Sequence, residues 1–302
     1  MNKKVSYQNN YENSIEINHL TKIYKDFSLN DLSLTLPKGT VMGFVGQNGA
    51  GKTTTIKSIL NLINADEGQI SLFGIDNKDN SIIIKEHIGV VFDELSLPNS
   101  LTCKQTNSIM KNIYKEWNEK AFFQYIEDFE LPLNKPFKNF SRGMQMKIQM
   151  AIALSHNAKL LILDEATAGL DPIARNELLD ILLEYMEDEE HSILMSSHIT
   201  SDLERIADYV TFIDKGTLLL SDEKYSILEN HLIVKSGIEE IEKLPKEYIV
   251  STRKNSYGAE ALTNNPSVLK ELFPNLTYDK ASLDDILCFY VSKKRDKKAL
   301  LH

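Results

Sequence analysis

Apolar residues along this chain fall into short runs that alternate with stretches of helical spacing. "SIEINHL" (14–20) alternates apolar and polar positions in the manner of a strand. "VMGFVG" (41–46) predicts a second strand, which enters a glycine-rich turn and then "KTTTIKSILNLI", whose apolar residues return at helical spacing. "HIGVVFD" (87–93), "KLLILDE" (159–165) and "SILMSS" (192–197) are apolar runs too short for helices and predict buried strands. Residues 100–157 read as helical throughout, broken at Pro132 and Pro136. Another helix is predicted from Pro172 to about Glu189, with proline just inside its start, where no intrahelical N–H is needed. "YVTFIDKGTLLLS" (209–221) reads as a hairpin turning at Lys215-Gly216.

Strands that alternate with helices predict a largely parallel α/β sheet. The helical block, about 97–157, is too long for a simple crossover and reads as an inserted subdomain. From about residue 222 the texture changes to short strands ("LIVKSG", "YIVSTR"), short helices and polar loops. The expected organisation is therefore a main domain over 14–221 and a small α+β domain over 222–302. Near the end, "SLDDILCFYVSKK" (282–294) has broadly helical apolar spacing with Ser282 as its N-cap, and is expected to cover its own small sheet. No internal repeat is visible.

Composition narrows the function classes. The chain has 302 residues and a formal net charge of -9, which removes any electrostatic case for nucleic acid as a partner. Cys103 and Cys288 lack metal-like spacing and fit a reduced, intracellular protein. The polar leader "MNKKVSYQNNYEN" lacks a signal-peptide core, and no apolar run approaches a membrane span. "EDEEH" (187–191) is a solvated acidic helix end. The basic "KKRDKK" near the end is weak evidence for a lipid contact.

The chemistry starts at "GQNGAGKTT" (46–54), which matches G-x-x-x-x-G-K-[ST] between a strand and a helix. Gly46, Gly49 and Gly51 let the backbone curl, so that the N–H groups from Gln47, Asn48 and Ala50 to Thr54 converge on phosphate oxygens. Lys52 supplies charge to the β- and γ-phosphates, and the Thr53 hydroxyl ligates Mg²⁺. "LLILDE" buries four apolar residues and then presents Asp164 at the carboxyl end of its strand, where ligands sit in such sheets. Asp164 is expected to hold Mg²⁺, and Glu165 to polarise a water near the γ-phosphate. ATP and Mg²⁺ are the implied ligands.

"GQNGAGKTT", "LLILDEAT", "AGLD" (168–171) and "SSH" (196–198), in this order and spacing, resemble the ATPase subunit of an ABC transporter. The resemblance covers roughly residues 14–221 and implies a P-loop NTPase core of the ABC ATPase kind. The length, the small C-terminal extension and "GQNGAGKTTTIKSILNLI" look most like bacterial exporter ATPases of the bacitracin and multidrug type. The family pattern implies two such domains packed head to tail as a homodimer or heterodimer, with ATP between the P-loop of one and the signature loop of the other. It also implies separate transmembrane permease subunits, and hence a cytoplasmic chain held at the inner face of the membrane.

Residue by residue, the resemblance places Tyr24 where an aromatic stacks on adenine, the alternative being an ordinary strand-end tyrosine. Glu165 becomes the general base or water-orienting residue. His198 contacts the γ-phosphate and holds Glu165 in register. Asp171 communicates with the opposite site; Ala168 stands where serine is usual. The signature, usually L-S-G-G-Q, is here Phe140-Ser141-Arg142-Gly143-Met144. Ser141 and Gly143 keep the groups that reach a partner's γ-phosphate in trans, at the positive end of the helix that follows. After "IGVVF" the family's glutamine is replaced by Asp93, a carboxylate able to ligate metal. Asp93 and Arg142 are expected to approach one γ-phosphate from opposite subunits, and either partly offset each other there or are two independent changes. Two alternatives stay open: a soluble ABC ATPase of translation or DNA maintenance, and a poorly hydrolysing regulatory member of a heterodimer.

Overall fold

The computed structural model describes residues 11–79, 81–255 and 258–299, with backbone alone at 81, 255 and 294–299. Most of the polar leader, and the side chains of the basic tail beyond Lys293, lie outside the described residues. The chain divides between Leu218 and Leu219 into two compact units.

In the first unit, β1 (Asn13–Ile23), β2 (Ser28–Pro37), β4 (Glu67–Leu72) and β5 (Ile75–Asp76) form an antiparallel sheet in the order β2-β1-β4-β5. Sequence reading finds only the first of these. The signal in β2 is nonetheless present: Leu32, Leu34 and Leu36 are buried while Ser33 and Thr35 face solvent, a period of two.

The second sheet carries the site. It contains β3 (Val41–Val45), β6 (Ile88–Val91), β7 (Leu160–Asp164), β8 (Ser192–Ser197), β9 (Tyr209–Asp214) and β10 (Thr217–Glu223), in the order β10-β9-β3-β8-β7-β6. The pairs β3·β8, β3·β9, β6·β7 and β7·β8 are all parallel. Every residue of β3, β7 and β8 is buried, which is why these strands read as continuous apolar runs. The turn after β9 uses Lys215 and Gly216, both at positive φ, as two-residue hairpins require.

The helix after the P-loop, α1 (Lys52–Ile59), is shorter than "KTTTIKSILNLI" predicts. It ends where Asn61 takes a left-handed φ of 51°. Ile56 and Ile59 face a core shared with Ile15, Ile17, Phe44 and Ile162, each buried side chain contributing roughly 1.5–3 kcal/mol of burial free energy. A short α2 (Ser81–Glu86) precedes β6.

The helical block resolves into α3 (Cys103–Ile113), α4 (Glu119–Asp128), a 3₁₀ turn at Phe137–Asn139 and α5 (Arg142–Leu154). Cys103, Phe122, Phe137, Phe140 and Ile148 build its separate core. α6 (Pro172–Tyr185) stops four residues before the expected Glu189, and α7 (Thr200–Ile206) follows β8. No described helix is long and apolar enough to cross a membrane.

The second unit contains α8 (Lys224–Asn230), β11 (Leu232–Ser236), α9 (Ile238–Glu242), β12 (Ile249–Asn255), β13 (Gly258–Thr263), α10 (Pro266–Leu272), β14 (Thr277–Lys280) and α11 (Leu283–Ala299). Its sheet has the order β12-β13-β11-β14. Ser282 caps α11, its hydroxyl accepting from Asp285 N–H at 3.1 Å. Phe289 of α11 is fully buried, with the Arg253 guanidinium of β12 3.8 Å from its ring centre.

Candidate functional site

The loop between β3 and α1 encloses a cleft of about 460 Å³, lined by Asp26, Phe27, Gln47, Asn48, Gly49, Ala50, Gly51, Lys52, Thr53, Thr54 and Glu165. Its glycines act for different reasons. Gly49 and Gly51 take φ of 78° and 117°, conformations other residues rarely adopt. Gly46 is required by space instead: a Cβ there would stand 2.5 Å from Ile213 O. At Gly49 a Cβ would meet nothing within 4 Å, so the side where it would project is open. A backbone that approaches an open cleft without side chains fits a polyphosphate.

Lys52 is only 5% exposed, and its ammonium lies 2.5 Å from Gly46 O, 3.3 Å from Gln47 O and 2.9 Å from Glu165 Oε1. Thr53 is exposed in the cleft wall. Asp164 is buried at the end of β7, and Glu165 follows it at a positive φ of 54°. The second oxygen of Glu165 lies 2.6 Å from His198 Nδ1. Burial alone would raise the Glu165 pKa, but the Lys52 hydrogen bond and charge, reinforced by His198, hold it below the usual carboxylate value. Lys52, Glu165 and His198 are thus brought together from three segments. His198 is set by a local turn in which Ser197 Oγ accepts from Ile199 N–H at 2.9 Å.

Other expected site residues stand elsewhere. Tyr24 is exposed and does not line the cleft. Its N–H donates to Phe27 O at 2.8 Å, closing the turn that delivers Asp26 and Phe27 to the cleft wall. Phe27 also touches Gly51, where a Cβ would be 3.0 Å from its ring. Sequence reading overlooks Phe27, although it sits three residues beyond the tyrosine in the same turn. Asp171 caps α6, one oxygen accepting from Ile173 and Ala174 N–H at 3.0 and 3.1 Å. Ser141 caps α5 through Met144 N–H at 3.3 Å. Neither Ser141 nor Gly143 lines the cleft of its own chain.

The expected meeting of Asp93 and Arg142 from opposite subunits is corrected. The two side chains form an ion pair within one chain. The reason is tertiary: α5 lies against the end of β6, where Gln149 accepts from Phe92 N–H at 3.2 Å and donates to Phe92 O at 3.1 Å. Gln149 therefore moors the loop carrying Asp93 to the signature helix. The Arg142 guanidinium also covers Gly169, where a Cβ would stand 3.0 Å from Cζ. Asp93 is not among the residues lining the cleft, and its carboxylate is engaged by Arg142.

A phosphate loop at the end of β3, a carboxylate pair at the end of β7 and a histidine after β8 define a P-loop nucleoside triphosphatase. The comparisons narrow the class. The family model described as "ABC transporter" matches residues 29–168. The chain is 36% identical over 208 residues to the bacitracin transport ATP-binding protein BcrA of Bacillus licheniformis, covering 68% of each. It is 34% identical over 212 residues to the lantibiotic transport ATP-binding protein SrtF of Streptococcus pyogenes, covering 69% of this chain and 90% of that one. Among solved structures, an ATP-binding subunit of an ABC transporter superposes with a TM-score of 0.65 at 26% identity, over 71% of this chain and 92% of that one. The chain belongs to the family of ABC transporter ATP-binding subunits. It binds and hydrolyses ATP to power a membrane transporter.

Proposed function

We propose that this chain drives an exporter, acting as one of two ATPase subunits that pack head to tail beneath separate transmembrane permease subunits. The export direction draws support from the relatives named for bacitracin and lantibiotic transport. The head-to-tail arrangement draws support from the cleft itself, which takes no residue from 140–145 of its own chain. A second copy is the natural source of Ser141 and Gly143. Two expectations about the chain's organisation are proposed with it: an ATPase domain over 14–221 and an accessory domain over 222–302.

The observation that carries the catalytic reading is the placement of Glu165 between Lys52 at 2.9 Å and His198 at 2.6 Å, at the wall of the phosphate cleft. The backbone of residues 47–54 binds the phosphates, with the Lys52 ammonium adding charge. Thr53 and Asp164 would hold Mg²⁺, a donor set of the partial kind this ion takes when phosphates and waters supply the rest. When bound, Mg²⁺ neutralises charge on the β- and γ-phosphates.

Glu165 orients the attacking water and accepts its proton; ADP and phosphate leave. While Lys52 is paired with it, Glu165 is a weak base. Turning Lys52 toward phosphate removes the charge that depresses the carboxylate and makes it more basic as substrate arrives. His198 keeps the carboxylate in register throughout. Phe27, which lines the cleft, is assigned to the adenine end, with Tyr24 in the same turn as the second aromatic there. The Glu165–His198 contact favours active hydrolysis over the regulatory alternative.

The test is steady-state ATPase activity of wild type against Glu165→Gln. Turnover is expected to fall by about 10²-fold or more while ATP binding persists. Undiminished turnover would refute the role of Glu165.

A further inference from the structure

Ser196 lies in β8 directly beside Asp164 of β7, the two being register partners of the parallel pair. It is fully buried, and the strand around it, Ile193, Leu194 and Met195, is apolar. A buried hydroxyl in such a place costs roughly 1–3 kcal/mol unless it is bonded. Its bonds go to the two acidic positions of the site. Ser196 Oγ donates to Asp164 Oδ1 at 2.6 Å, in the range of a charge-assisted O–H···O⁻ bond. The same oxygen accepts from Glu165 N–H at 3.1 Å, alongside Ser196 O at 3.2 Å. One hydroxyl has one proton and two lone pairs, so both contacts are made at once. The neighbouring Ser197 differs: its hydroxyl serves only the turn to Ile199.

We propose that Ser196 is a positioning residue for ATP hydrolysis, its hydroxyl fixing the Asp164 carboxylate and the Glu165 backbone as one unit. The proposal rests on the roles given to Asp164 and Glu165 above. Two consequences follow from the geometry. The bond from the serine to Oδ1 fixes the rotation of the Asp164 carboxylate, and with it the direction in which Asp164 would present charge to a metal. Glu165 sits at a φ of 54°, a region uncommon for residues with a Cβ, and the serine helps hold it there. That backbone conformation is what sends the Glu165 side chain to Lys52 and His198 rather than along the strand.

The test uses the full chain with Ser196→Ala, Ser196→Thr and Ser196→Cys, with ATP and Mg²⁺ as probes. ATP affinity is measured in EDTA and again with Mg²⁺, beside kcat and KM. For S196A the EDTA affinity should stay within about twofold of wild type, while the gain on adding Mg²⁺ and kcat each fall about 10- to 100-fold. S196T, which keeps the hydroxyl, should recover most of both, and S196C should fall between. A folded S196A with wild-type kcat and Mg²⁺ response overturns the proposal, as does a loss of kcat that tracks thermal stability and is not recovered by threonine. If S196A does not fold, cysteine decides, and S196C equal to wild type overturns it. A wild type that hydrolyses no ATP counts against the proposed function, and the Mg²⁺-dependent affinities still judge Ser196.

Discussion

Glu165 is held by two cations or potential cations at once, and its acidity reports that holding. Its pKa lies below the usual carboxylate value because Lys52, then His198, outweigh the burial that pushes it up. The sign of the pH dependence follows. A carboxyl whose folded value is depressed contributes stability above its unfolded value of about 4.3, and loses it as pH falls through the folded value. Wild type should therefore lead Glu165→Gln in unfolding free energy near neutral pH, and the margin should shrink below about pH 4.3. Denaturant titrations at stepped pH measure it; a gap that does not narrow in acid would show that Lys52 is not the partner in solution. At this scale legibility depended on sequence distance. Lys52, Thr53, Asp164 and Glu165 lie in contiguous motifs, and the strand-then-turn pattern exposes them. Ser196 and Gln149 act on partners 31 and 57 residues away, so their contacts are not legible locally, although Ser196 opens the "SSH" motif. Arg142 and Asp93 are likewise distant in sequence, which is why their pairing within one chain is not legible from it.

Two helix starts in the first unit carry residues proposed for a partner's site. Ser141 opens α5, Asp171 opens α6, and both spend their side chains on their own N–H groups. The predicted helices exist but α1 and α6 stop early, and of the antiparallel sheet sequence reading finds one strand of four and misses the sheet itself. The buried strands were legible because both faces are covered, whereas β4 is mostly exposed outside Ile70 and Leu72 and carries little apolar signal. Capping and any role across a dimer can be separated at Asp171. Asp171→Ala should cost about 1 kcal/mol of stability, and Asp171→Asn only a few tenths, because asparagine caps nearly as well. Chemical denaturation of the first unit checks this. Equal destabilisation by both would show that the carboxylate charge, and not the cap, is what α6 requires. If D171N keeps its stability but loses ATPase activity, the charge belongs to the partner's site.

Across the whole molecule, the proposed pairing of two copies and their like net charge oppose each other. One chain supplies the phosphate loop and Glu165 to the cleft; in the proposed head-to-tail pair the second copy would supply residues 140–145, none of which lines the cleft of its own chain. Each copy carries a formal charge of -9, and bound ATP adds to it. Two such bodies repel at long range, over a Debye length of roughly 30 Å at 0.01 M salt and 8 Å at 0.15 M. Short-range contacts at the cleft are inside that length in both conditions, so salt should relieve the repulsion more than it weakens the contacts. Glu165→Gln loaded with ATP should therefore dimerise more readily as KCl rises from about 10 to 150 mM. Ser141→Ala should lower the dimer fraction at every salt concentration, since it removes the hydroxyl offered to the partner's phosphate. Sedimentation velocity at fixed protein concentration reads both effects. Dimers that dissolve as salt rises would mean that complementary surface charges hold the copies together. Absence of an ATP-dependent dimer at any salt would remove the head-to-tail arrangement itself.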